Sequence, residues 1–424
     1  MSKYRSWAEP PPHDPGLRRW LGEARHDLRY ALRQHRRAPG FAVLVIVTLA
    51  IGIGANAAMF GAIDRLLLRA PAHVHDPNSV VRLLFAERNS TGDEVVSARS
   101  NYPTFLDFER AVASFESIAA YWSADVSFGE GPEAVEARAS LVSASFFSVL
   151  GTSPVAGRFF IPDGDSRTGA APIAVLGHAF WQREFAGDTS VIDRNVRIGG
   201  VTYTVVGVSP PGFNGAESEA TDVWLPITVA AERTSRIPLY LEDRGSAWLS
   251  IVARLRPGAT RAVAEQQATN VWRHQNARPG NREAGRVIAA SVIPGRGADR
   301  PRETNVALWL AGVSALVLLI ACANVGNLLL GRAFARRGEI AVRLALGAGR
   351  RRLARQMLVE AMVLAAFGGT FALYFAALGG RVVQRFLLSG SVAGNFLDRR
   401  LFLATAAIAI GTGMLISLAP LIQT

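Results

Sequence analysis

The chain has 424 residues, half of them apolar, with 46 Lys+Arg against 34 Asp+Glu and a formal net charge of +12. A single cysteine, Cys322, excludes an intrachain disulfide framework. A single lysine, Lys3, excludes a P-loop, because Walker A needs a lysine after its glycines to reach the phosphates.

Residues 1–15 are proline-rich and read as disordered. Over 17–37, Leu17, Trp20, Leu21, Ala24, Leu28, Ala31 and Leu32 recur at helical spacing, and Arg18, Arg19, Arg25, Arg29, Arg33, Arg36 and Arg37 fill most of the rest. That pattern predicts a basic amphipathic helix lying on a membrane surface, within a cytoplasmic N-terminal segment 1–40. Pro39-Gly40 is expected to break it.

Phe41–Ile63 is the first uncharged apolar run, long enough to cross roughly 30 Å of hydrocarbon as a helix. Its apolar core exceeds that of a cleaved signal peptide and follows about 40 residues of basic sequence, so it reads as an uncleaved anchor. Gly52-Ile53-Gly54-Ala55-Asn56-Ala57-Ala58 imitates a dinucleotide-binding pattern, but no strand precedes it. Gly54 and Ala58 instead suit close helix approach, and Asn56 needs a hydrogen-bond partner inside lipid.

The long segment 68–303 mixes strands and helices. Strands are predicted at Val80–Phe85, Val135–Leu141, Ile173–Leu176, Leu249–Leu255 and Val287–Ile293, and helices at Tyr102–Tyr121, Phe146–Leu150, Phe180–Phe185 and Arg261–His274. Val196–Val206 reads as a hairpin about Gly199-Gly200. The absence of one repeated period predicts an α+β domain of two lobes, with 160–245 inserted between flanking units. His73-x-His75-Asp76 has a metal-ligand look but no third and fourth ligand in sequence, so a solvated loop is expected. No G-x-S-x-G or H-E-x-x-H occurs, and a hydrolase triad cannot be argued.

Three more spans follow, 306–330, 357–378 and 401–424, with the arginine-rich loop 332–355 between the second and third. Residues 1–40 carry nine basic and four acidic side chains, the loop eight Arg and one Glu, and segment 68–303 carries 24 Arg against 26 acids. The excess charge therefore sits in the two segments that an N-in topology places in the cytoplasm. Attraction to anionic headgroups explains it better than nucleic acid, which is not an expected partner. The turn 379–400 votes the other way, holding Arg381, Arg385, Arg399 and Arg400 against Asp398. Asn324 and Asn327, three apart on the second span, are expected to join helices or protomers or to line a polar face; helix packing is the favoured reading.

The segment 324–369 then resembles the cytoplasmic loop and following span of MacB/FtsX-type ABC transporter permeases. The likeness rests on Asn324, Leu328-Leu329, Arg336-Arg337-Gly338-Glu339-Ile340-Ala341-Val342-Arg343, Ala345-Leu346-Gly347-Ala348, Arg355-Gln356 and Glu360. Phe146–Gly151, Gly157–Phe160, Phe180–Arg183, Thr204–Phe213 and Asp222–Pro226 are similar to the MacB periplasmic core. Asp27–Arg33 with Pro39-Gly40-Phe41 is similar to the opening of the duplicated permeases first noted in acidobacteria. Those carry a second four-helix half, so this chain is expected to be either a half-permease pairing with itself or a homologue, or a truncated product.

The resemblance implies four transmembrane helices with a large extracytoplasmic α+β domain between the first two, in a bacterial inner membrane. It implies that a separate ATPase, holding ATP and Mg, docks on the loop, and that no cofactor binds this chain itself. Arg337, Glu339, Ile340, Arg343, Leu346, Gly347 and Arg350 are the expected coupling residues. Glu339 can pair with Arg343, and the small apolar face can enter a cleft rimmed by acids. Periplasmic efflux by mechanotransmission is the expected function; regulation of a cell-wall hydrolase, FtsX-like, is the alternative, and a periplasmic adaptor is left open.

Overall fold

The computed structural model describes residues 28–64, 69–89, 91–161, 170–217, 219–233, 241–275, 285–293, 302–335, 338, 350–387 and 399–421. They divide into two compact units, one built on the long apolar helices and one on the chain between the first two spans.

In the helical unit, α1 covers 28–37 and α2 covers Pro39–Ile63. The break falls at Ala38, one residue before the expected Pro39-Gly40. Proline lacks the N–H that a helix's first turn leaves unused, so Pro39 starts α2 instead of ending α1. Most of the amphipathic stretch 17–37 lies outside the described residues. Three helices complete the unit, α8 (Arg302–Ala335), α9 (Arg350–Leu387) and α10 (Arg399–Leu421). Four stretches are long and apolar enough to cross a membrane: Pro39–Gly61, Ala311–Arg332, Arg355–Phe375 and Arg399–Ser417. At 1.5 Å per residue the 34 residues of α8 extend about 51 Å, well beyond the hydrocarbon.

The second unit is built on one mixed sheet. Its strands are β1 (Val80–Arg88), β2 (Glu94–Ser97), β3 (Phe115–Phe128), β4 (Val135–Val142), β5 (Ala156–Gly157), β6 (Ile173–Leu176), β7 (Asn195–Ile198), β8 (Val201–Val208), β9 (Val223–Pro226), β10 (Ser250–Leu255) and β11 (Gly285–Ser291). Hydrogen bonding runs β11-β1-β10-β3-β4-β9-β6-β8-β5, with β2 on β1 and β7 on β3 and β8. Pairing is antiparallel except for β4 with β9 and β6 with β8. The inserted segment supplies β6 to β9, and these lie together beyond β4. They join the flanking strands without interruption through β9 on β4 and through the Phe128–Ile198 pair of β3 and β7. Gly199 and Gly200, at φ of 57° and 83°, make the two-residue turn between β7 and β8 that only such backbone angles close.

Both faces of the sheet are covered. On one, α3 (Tyr102–Ala111) and α7 (Arg261–Gln275) bury Phe105, Phe108, Ala264 and Ala268 against Leu83, Phe85 and Ala289. The same core takes Phe180 from α5 (His178–Phe185) and Ala230 from α6 (Ile227–Arg233). On the other, α4 (Phe146–Leu150) sets Phe146 and Phe147 in an aromatic cluster with Tyr121, Phe160, Phe213 and Trp224.

The helix expected over Tyr102–Tyr121 is two elements. It begins as foreseen, with the Asn101 side chain accepting from the Thr104 N–H and a proline in the first turn. It stops at Ala111, where Val112 turns extended (φ −93°, ψ 98°). Ser114 is then held by Gln267 Oε1, which accepts from its N–H at 2.9 Å and its hydroxyl at 2.8 Å. From Phe115 the chain pairs with β10 and β4. The apolar spacing at 105, 108, 112 and 115 is helical only through its first half; ladder pairing decides the rest.

Arg254 fixes the loop carrying His73-x-His75-Asp76. It donates to Val149 O at 2.9 Å, Ser79 Oγ at 2.6 Å and His75 O at 2.7 Å. Tyr102 gives the unit an alkaline limit. Burial, aided by the Glu109 charge, pushes its phenol up to about 12. A raised acid pKa stabilises the fold below the unfolded value of 10.0 and loses that contribution as pH climbs to about 12. Stability should fall by about 2–3 kcal/mol across that window. Urea unfolding of wild type and Tyr102→Phe at pH 9 and pH 12 checks it; equal losses in both would remove Tyr102 as the cause.

Candidate functional site

The residues singled out by sequence fall into two groups, those that pack the long helices and those of the loop after α8. In the packing group Asn56 Nδ2 donates to Gly52 O within α2 at 3.0 Å and across to Ser314 O of α8 at 2.7 Å. Ser314 Oγ donates back to Ala55 O at 3.3 Å. Polar groups left unpaired in hydrocarbon cost several kcal/mol, so these bonds hold α2 and α8 in one register. Just below, a Cβ on Gly52 would stand 2.9 Å from Ala321 Cβ, an approach only small residues permit.

Gly54 faces another neighbour, its absent Cβ 3.6 Å from Ala372 Cβ of α9. Ala58, its expected companion, is exposed. The fully buried apolar positions of α2 are Val45, Leu49, Ile53 and Ala57, a row of i+4 steps that leaves Ala58 a further 100° around the helix. Asn324 and Asn327 are also exposed, whereas Cys322 and Val325 beside them are buried. The two asparagines therefore face away from the packed cluster of this chain.

Three packing residues had no place in the sequence reading. Ser314 clamps α2, Gly368 brings α9 against Leu49 with its absent Cβ 2.7 Å from Leu49 Cβ, and Gly413 brings α10 against Met362 of α9, where an added Cβ would stand 3.3 Å from Met362 Cα. The signal was available in Gly368-Gly369 and Gly411-x-Gly413, small residues clustered inside apolar runs. Where α8 nears its end, the Arg332 guanidinium stands 4.5 Å from the Phe41 ring centroid, a cation–π contact tying it to the start of α2.

Of the loop group, Arg337, Glu339, Ile340, Arg343, Leu346 and Gly347 lie outside the described residues, and Arg350 opens α9. Among the described residues no group of three His, Cys, Asp or Glu could hold a metal ion. The arrangement consists of two clamped helices, one of which continues to Ala335, where the arginine-rich loop follows.

Parts of this chain are similar to known proteins. The family model described as MacB-like periplasmic core domain matches residues 42–271, and that described as FtsX-like permease C-terminal matches residues 311–424. The pyoverdine export ATP-binding/permease protein PvdT of Pseudomonas entomophila (strain L48) is 26% identical over 240 residues, 56% of this chain and 34% of the relative. The macrolide export ATP-binding/permease protein MacB of Escherichia coli (strain K12) is 26% identical over 255 residues, 60% of this chain and 37% of the relative. The chain thus spans about a third of the length of these relatives. The periplasmic region of MacB from Actinobacillus actinomycetemcomitans aligns at 14% identity and a TM-score of 0.38, over 51% of this chain and 93% of that one. With the core-domain match covering over half of its length and the permease match its last three long helices, the chain belongs to the MacB/FtsX-type permeases, a multi-pass membrane protein with a MacB-like periplasmic core domain.

Proposed function

We propose that this chain is the permease subunit of a MacB-type ABC transporter in the bacterial inner membrane, with its N-terminus cytoplasmic. A separate ATPase binds the loop 332–355, and closing of its nucleotide-bound dimer rocks that loop. The clamped α2–α8 pair passes the motion to the periplasmic core domain, which extracts or expels a substrate. A second permease half or a second copy of this chain completes the transporter. Lipid surrounds the four helices, and exposed Asn324 and Asn327 are available for contact with that second half.

The observation that carries this reading is the joining of a MacB-like core to an FtsX-like permease region whose first two helices flank the arginine-rich loop. Lys3 is the only lysine, so ATP hydrolysis falls to another polypeptide or domain. The names of the relatives pair ATP binding with permease function in one protein, about a third of which this chain matches, which supports ATP binding outside the matched part.

Co-purification with a co-expressed MacB-type ATPase tests the reading. Wild type should retain the ATPase, and Glu339→Arg or Gly347→Trp should lose it at least about tenfold, as expected when a charge is reversed or a bulky ring enters a docked face. Normal retention by both variants would move the coupling site elsewhere.

A further inference from the structure

An apolar groove of about 220 Å³ runs between α9 and α10. One wall is Met362, Ala366 and Leu373, the other Phe402, Ala406 and Ile410, with Gly369, Thr370, Thr405 and Ala409 completing it. The threonine hydroxyls are satisfied within their own helices. Thr370 Oγ1 donates to Ala366 O at 2.9 Å and Thr405 Oγ1 to Leu401 O at 2.8 Å. The groove therefore presents methyl and methylene groups and no free donor, which suits a hydrocarbon and not a peptide or a polar head.

Its length sets the occupant further. From Met362 to Leu373 the wall climbs about 16 Å, half of a hydrocarbon core of about 30 Å. These residues run from about a third of the way along the Arg355–Phe375 span to near its end, and Phe402 to Ile410 from near the start of the Arg399–Ser417 span to just past its middle. The groove is thus one leaflet deep and reaches one membrane face. A partner's transmembrane helix would call for a seam of the full depth.

At that face the groove ends in positive charge. Arg399 and Arg400 are exposed and begin α10, one turn before Phe402. They belong to the turn whose arginines run against the positive-inside pattern. An anionic headgroup beside them compensates that placement.

We propose that this groove is a binding site for an anionic phospholipid, one acyl chain lying between α9 and α10 and the phosphate resting on Arg399 and Arg400. Binding itself does not depend on how the chain is oriented. That the lipid comes from the external leaflet does rest on the N-in reading above.

The full-length chain in detergent is titrated with phosphatidylglycerol and, separately, phosphatidylcholine, and bound lipid is counted by native mass spectrometry. Wild type should hold one phosphatidylglycerol in preference to phosphatidylcholine. Ala366→Trp, which fills the groove from an exposed position, should lose that one lipid. Arg399→Gln with Arg400→Gln should keep a chain but reduce the preference by about thirtyfold, the effect of two headgroup contacts near the membrane surface. Equal retention of the two lipids by wild type, or undiminished phosphatidylglycerol binding by Ala366→Trp, overturns the proposal. So does a disulfide-linked dimer formed by Ala366→Cys in a Cys322→Ala background, which would place a second copy in the groove. ATPase co-purification is scored on the same variants; it should be unchanged, which separates failure of the lipid site from failure of the coupling loop.

Discussion

Replacing Trp224 with alanine is expected to lower the stability of the periplasmic core domain by about 3–5 kcal/mol, the range for deleting a buried aromatic. Trp224 sits in β9 with its backbone paired to Ser140 on one side and Val175 on the other, and its side chain is almost fully buried. Its ring centroid lies 5.4 Å from Phe213, 5.5 Å from Phe146 and 5.6 Å from Phe147. Phe147 in turn stacks on Phe159 at 3.8 Å and 6°. Removing Trp224 empties the centre of that cluster, and edge and offset contacts worth about 0.5–1.5 kcal/mol each beyond their area are lost with it. Its indole nitrogen is buried without a hydrogen-bond partner. Trp224→Phe should therefore cost about 1 kcal/mol or less, since it keeps a ring and removes an unsatisfied donor. Urea unfolding of the full-length protein, followed by near-ultraviolet circular dichroism, measures both. Similar losses for the two variants would mean that the indole nitrogen matters, contrary to its lack of a partner.

In the membrane unit, Gly368→Leu should be the most damaging single change, lowering the midpoint of thermal unfolding in detergent by roughly 6–12 °C. The Cβ that glycine lacks would fall 2.7 Å from Leu49 Cβ and 3.4 Å from the Ala50 nitrogen, so a side chain there must push α2 away from α9. The displaced contact is the middle of a cluster that includes Val45, Leu49, Ile53, Leu364, Ala365 and Ala372. Gly312→Leu is the matched control, because no atom lies within 4 Å of the position its Cβ would take. That control should stay within about 0.5 kcal/mol of wild type. Leu49→Gly, which removes the clashing Cβ, should cost less in the Gly368→Leu background than in wild type, as coupled neighbours do in a double-mutant cycle. If Gly312→Leu proves as harmful as Gly368→Leu, helix propensity and not close approach governs the unit.

The sequence made the spans legible because their signal is one of length. Twenty or so apolar residues in a row have few structural readings, and the observed helices contain the first three spans whole and the fourth as far as Leu421. It made Gly199-Gly200 legible because the turn is chemical and local. It misread Phe115–Tyr121, where the apolar residues satisfy both periods and the partners that decide, Leu255 and Val142, are far away in sequence. The packing of the helices was half visible. Asn56 announced its need for an acceptor, but the carbonyl that answers belongs to Ser314, a residue with no pattern to mark it. Ala58 shows the converse limit. Four-residue spacing puts it on the same side as Gly54, yet spacing says nothing of which side another helix will cover.

The opening and closing strands of the core domain, β1 and β11, lie edge to edge, with Val81 opposite Ser291, more than two hundred residues later. The ladder between them cannot form until the last of the domain has been synthesised. Through that interval β1 has one long edge open, and the nascent domain is exposed to proteases and to pairing with the wrong strand. Biogenesis is thus timed by the final strand, and helpers that shield open edges during export would matter more for this protein than for one folding from its beginning.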